Sequence, residues 1–142
     1  MKITILTQHN FQTSKWSGGT TTQLYIYPAH SSYADKNFDL RISMAKVEVE
    51  ESSFTSLPGV YRKLMILEGA ITIHHEGQYS KQLKPFDVEN FKGDWKTTSL
   101  GICTDFNVMT TGEKQSELYH LSMNGAKDFK FKPKLNCKDL FF

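Results

Sequence analysis

Two arginines, an aspartate and an asparagine stand mid-strand in runs that otherwise read as buried, and these four could do chemistry. Arg41 lies in FDLRISMAKVEV, Arg62 in VYRKLMILEG, and Asp105 and Asn107 in GICTDFNVMT. Alternate residues of a strand face opposite ways, so Arg41 goes with Asp39, Ser43, Ala45 and Val47, against Phe38, Leu40, Ile42 and Met44. Arg62 shares a face with Leu64 and Ile66, while Cys103, Asp105, Asn107 and Met109 share another. Buried charge is costly unless paired. Two readings are open: an internal Arg–Asp105 network, or contacts to a ligand. A guanidinium meets a carboxylate in a two-pronged geometry, which suits small organic acids. Trp16, Phe86 and Phe91 could supply an apolar wall.

The second constellation is His74-His75-Glu76 at the end of an apolar run. Metal-binding barrels place ligand histidines two apart on one face, whereas these are adjacent and the pleat separates them. His75 falls with Ile71 and Ile73, and His74 with Thr72 and Glu76, before Gly77. The pair reads as the rim of a hairpin, and no metal or other cofactor is expected. Gly18-Gly19, followed by three threonines, reads either as an anion-binding turn or as a tight entry into a strand. There is no G-x-S-x-G elbow, H-E-x-x-H or C-x-x-C, so catalysis would need scattered residues.

The elements that must position these groups are strands. Strand-like runs occur at 3–7, 20–28, 38–49, 61–69, 70–77, 101–110, 117–123 and 127–133, separated by turn signals such as Pro58-Gly59 and Lys92-Gly93-Asp94. A single helical turn is expected near 50–53, and no window shows sustained helical periodicity. The 142 residues suit one all-β domain, a sandwich or barrel, over 1–142. Aromatic content of 13% agrees with strands.

A net charge of +2 argues against nucleic acid as a partner. Five lysines against two aspartates over residues 127–142 read as a guarded edge strand. No stretch approaches the length of a membrane span, and Cys103 and Cys137 show no paired spacing; a cytoplasmic protein with reduced thiols is expected.

The blocks WSGGTTTQLYIYP (16–28), FDLRIS (38–43), FTSLPGVYRKLMILEG (54–69), LKPFDVENFKGD (83–94) and DFNVMT (105–110) follow one another as in the HutD/Ves family, which the chain resembles over roughly residues 8–112. The resemblance implies a cupin-type (RmlC-like) antiparallel β-barrel in a cytoplasmic bacterial protein. It also implies a small-molecule-binding role, in some members regulating histidine utilisation. Carried over by position, the ligand-binding residues are Arg62, Arg41, Asn107, Asp105, Trp16, Gly18, Gly19 and Met109. The ligand would be a small organic acid such as urocanate or N-formylglutamate. Tyr61 stands where members commonly have an acidic residue, and Gln23 where many have arginine. The chain is also shorter than usual members, so the second half-barrel would be reduced or supplied by another subunit. An exposed sheet edge leaves a homodimer open. The alternatives are a cupin isomerase or hydrolase using Asp105 with a histidine, and an assembly module with a filled barrel.

Overall fold

A computed structural model describes residues 3–125 together with 128, 130, 132 and 142. After a 3-10 turn at Gln8–Asn10 come ten strands among the described residues: β1 (Gln12–Trp16), β2 (Gly19–Tyr27), β3 (Leu40–Val47), β4 (Glu51–Ser53), β5 (Val60–Gly69), β6 (Ile71–His75), β7 (Tyr79–Leu83), β8 (Val88–Lys92), β9 (Thr97–Leu100) and β10 (Cys103–Thr111). They form two antiparallel sheets, β1-β2-β3-β10-β5-β8 and β4-β9-β6-β7. No helix among the described residues is long and apolar enough to cross a membrane.

The expected parity holds. On the inner face, Val47, Leu64, Ile66 and Cys103 of the large sheet pack with Ile71, Ile73 and Leu83 of the small one. The opposite face of the large sheet is also apolar. There Ile42, Met65, Phe106 and Val108 pack with Phe11 and Leu118 from segments outside the sheets. This explains why the central strands read as almost continuous hydrophobic runs: both of their faces are covered.

Two register shifts tune the inner face. One falls between Gln23 and Tyr25 in β2, so that Gln23 pairs with Ser43 and Ile26 with Arg41. The other falls between Thr104 and Asp105, taking the β10 partner from Glu68 to Ile66. Each inserts one residue opposite a regular strand, which re-aims the side chains beyond it.

Several expected elements differ. The run 3–7 is not a strand, although its composition is strand-like, and 117–123 is irregular. The expected turn at 50–53 is instead β4, paired with β9 through Ser52↔Ser99. The run 127–133 lies largely outside the described residues, as does Cys137.

Candidate functional site

The inner face of the large sheet is laid out in rows by strand register. Met109 sits between Arg41 and Arg62, Asn107 between Ser43 and Leu64, and Asp105 between Ala45 and Ile66. On β8, Phe91 pairs with Arg62 and Glu89 with Leu64. Arg41, Arg62, Asp105, Asn107 and Met109 are therefore brought together, all of them buried.

The two arginines differ in their surroundings. Arg41 is satisfied: its Nε donates to Gln23 Oε1 at 2.8 Å, its Nη1 donates to Ser43 Oγ at 3.3 Å, and it lies 4.3 Å from the Tyr33 ring centroid. Gln23, unexpected from the family pattern, is thus the acceptor that holds it. Arg62 sits in a corner made by Phe54 and Phe91, at 4.9 and 5.1 Å, the two rings meeting edge to face. Its Nε has no hydrogen-bond partner, and no carboxylate among the described residues comes within 4 Å of it. Burial pulls its pKa down to about 10, against the opposing influence of Tyr33 and Asp105.

Asp105 is the other titratable group without a partner. Its Oδ1 has no partner, and neither has Asn107 Oδ1. Burial pushes the Asp105 carboxyl up to about 7, with Arg62 pulling the other way. The internal Arg62–Asp105 ion pair that the sequence left open does not form at contact distance. The two groups influence one another only across a gap.

Trp16 and Gly18 sit elsewhere, in an open cleft of about 360 Å³ whose lining also includes Val49 and Glu51. A side chain on Gly18 would meet the Trp16 ring at 2.1 Å, so this glycine leaves the space that the indole occupies. At Gly19 a Cβ would sit 1.9 Å from the Lys46 carbonyl oxygen. A larger open cleft, about 630 Å³, lies at the small sheet between residues such as Glu50, Thr72, Lys84 and Leu100. Neither cleft opens onto Arg62. Of the expected apolar wall, Phe91 is in place, but Phe86 is 48% exposed and stacks on His120 at 3.6 Å.

With this geometry in view, the comparisons can be stated. The HutD family model matches residues 8–135. The chain belongs to the HutD family. Its structural relatives include HutD from Pseudomonas fluorescens SBW25, at 22% identity and TM-score 0.63, over 73% of this chain and 58% of that one. They also include the conserved protein PA5104 from Pseudomonas aeruginosa PAO1, at 24% identity and TM-score 0.64, over 73% and 55%. An RmlC-like cupin from Shewanella frigidimarina NCIMB 400 shares the fold at 10% identity and TM-score 0.57, over 80% and 95%. This HutD-family chain thus spans little more than half the length of the two Pseudomonas proteins. No curated protein matches the sequence.

The histidines of this HutD-family member need a correction. The pair does close β6 at the β6–β7 hairpin, with His75 paired to Tyr79 across the turn. But His75 is not at an open rim: it is fully buried among Tyr79, Phe91 and Trp95, with ring centroids at 5.1, 4.8 and 5.1 Å. Its Nδ1 lies 2.8 Å from Thr97 Oγ1, and its Nε2 is 3.6 Å from Glu89 Oε1. Burial lowers its pKa, and Glu89 opposes that. Glu89 also accepts from Tyr79 and forms an ion pair with Lys81 at 2.7 Å. His74 turns outward to Ser80, and Glu76 pairs with Lys96. No group of three or more His, Cys, Asp or Glu side chains suited to a metal occurs among the described residues. Glu89, Phe54 and Trp95 were missed as site neighbours. For Glu89 the signal was present: in DVENFK it alternates with Phe91, so the two share a face.

Proposed function

We propose that this protein binds a small carboxylate metabolite inside its barrel, with Arg62 as the principal anion contact. The observation that carries the reading is Arg62 itself: a guanidinium 6% exposed, with a free Nε and no carboxylate within 4 Å. A buried cation left unneutralised by the protein is costly, and an anionic ligand removes that cost. Each charge-assisted hydrogen bond contributes about 1.5–3 kcal/mol. Arg41, held by Gln23 and Ser43, adds positive potential on the same face.

The related Pseudomonas fluorescens HutD is described in a formate condition, and formate is the smallest carboxylate. Urocanate and N-formylglutamate, larger acids of histidine breakdown, are the metabolites this reading favours, with a regulatory role in histidine utilisation in the bacterial cytoplasm. Binding to the folded state alone raises the melting temperature with ligand concentration. Differential scanning fluorimetry and calorimetry with urocanate, N-formylglutamate and formate should show stabilisation by at least one, and Arg62→Ala should abolish it. An unaltered response in the variant would place the anion elsewhere, for example in the Trp16 cleft.

A further inference from the structure

Apart from His75 Nε2, which faces Glu89, the buried unpartnered atoms of the inner face are of two kinds. Arg62 Nε is a donor, whereas Asp105 Oδ1 and Asn107 Oδ1 are acceptors. A plain carboxylate answers the first and not the others; near Asp105 and Asn107 it would set oxygen against oxygen. Once Asp105 has given up its proton, above about pH 7, the protein does not supply the missing donors, since Arg62 stops short of Asp105 and Arg41 is taken by Gln23 and Ser43.

The two kinds are also separated in space. Along β10 the rows run Met109, Asn107, Asp105, with Arg62 registered at the Met109 end. Alternate residues of a strand are about 7 Å apart, so Asn107 lies one step and Asp105 two steps from that end. The long Arg62 side chain shortens this span, as its electrostatic influence on Asp105 shows. The result is an anion-seeking pole and a donor-seeking pole, with Asn107 between them.

We propose that the barrel interior selects bifunctional ligands, carrying an N–H donor opposite their anionic group, and that Asp105 and Asn107 read that donor. The inference rests on the anion-binding reading above and adds a specificity to it. An acid without a donor leaves Asp105 and Asn107 unsatisfied and gains only the Arg62 contact. A neutral amide or ring N–H satisfies one acceptor; an ammonium also neutralises the Asp105 carboxylate. Sites with buried acceptors discriminate strongly against ligands that leave them empty.

The test uses matched pairs on the full chain. Dissociation constants are measured by calorimetry at pH 8, where the Asp105 carboxyl is ionised, for acetate, propionate and butyrate, and for glycine, β-alanine and γ-aminobutyrate, which carry an ammonium at the far end. At least one amino acid should bind about tenfold more tightly than its plain partner, and the best chain length reports the distance between the poles. In Asp105→Asn the ratio within that pair should fall towards one. Equal affinities within every pair would overturn the donor reading while leaving the carboxylate reading intact. Binding by none of the six, and by none of urocanate, N-formylglutamate and formate, would overturn both. Should the variant fail to fold, the wild-type ratios still decide.

Discussion

Asp105 loses its proton more readily in the unfolded chain than in the barrel, and the sign of its effect on stability follows from that. Its carboxyl moves from the ordinary 3.8 to about 7 through burial, with Arg62 opposing. Between about pH 4 and pH 7 the unfolded state releases this proton and the folded state keeps it, so stability falls as pH rises through that window. The full difference is of order 4 kcal/mol. Asp105→Asn lacks the effect, so urea denaturation should show the variant gaining on wild type between pH 4.5 and pH 8; a gap independent of pH would refute this. His75 gives a second prediction. Thr97 Oγ1 lies 2.8 Å from His75 Nδ1 and 3.2 Å from the Trp95 carbonyl oxygen, so one hydroxyl serves both buried groups. Thr97→Val removes it and leaves Nδ1 without a partner, which should lower stability by about 1–3 kcal/mol in urea denaturation; an unchanged midpoint would refute this. At this scale the sequence was informative about Arg62 and Asp105, because polar residues in apolar strands are conspicuous. It placed His75 at the hairpin end and on the face of Ile71 and Ile73, but parity gives a face without saying that the face is buried to its end.

The strands legible in the sequence were those with apolar faces to bury: β2, β3, β5, β6 and β10. The ones missed or mistaken, β1, β4, β7, β8 and β9, carry polar stretches such as QTSKW, ESS, YSKQL and TTSL. Their conformation is set by pairing with a neighbour, which composition does not encode. Residues 3–7 are the converse: β-branched and apolar, yet Ile3 and Ile5 are 74% and 82% exposed and have no ladder to join. Turns carry firm information where space is short. At Gly19 φ is +149° and a Cβ would overlap the Lys46 carbonyl, so Gly19→Ala should separate β2 from β3 at the start of their pairing. A loss of more than about 2 kcal/mol in chemical denaturation is expected.

For the molecule as a whole, the question is what ties the two sheets together where β7 and β8 face one another across a seam. Glu89 on β8 reaches Tyr79 and Lys81 on β7, so one carboxylate fastens two groups of the other sheet. Glu89→Gln removes the ion pair and should destabilise the barrel by about 1–3 kcal/mol, since Lys81 is half exposed and regains water. The midpoint of urea unfolding measures it. An all-β sandwich or barrel was readable from strand spacing, and the cupin type and the family from the resemblance of five ordered blocks. The seam was not, because it depends on which edge strands meet, a long-range property of the fold.

Arg62 in its aromatic corner has one more consequence, and it concerns salt. Surface charges feel mobile ions within about 8–10 Å in physiological solution, whereas enclosed charges are screened far less. Phe54 and Phe91 line the corner and keep counterions from the guanidinium. Ligand affinity at Arg62 should therefore be nearly flat between low and high sodium chloride. Any steep ionic-strength dependence would belong instead to the exposed lysines of the surface.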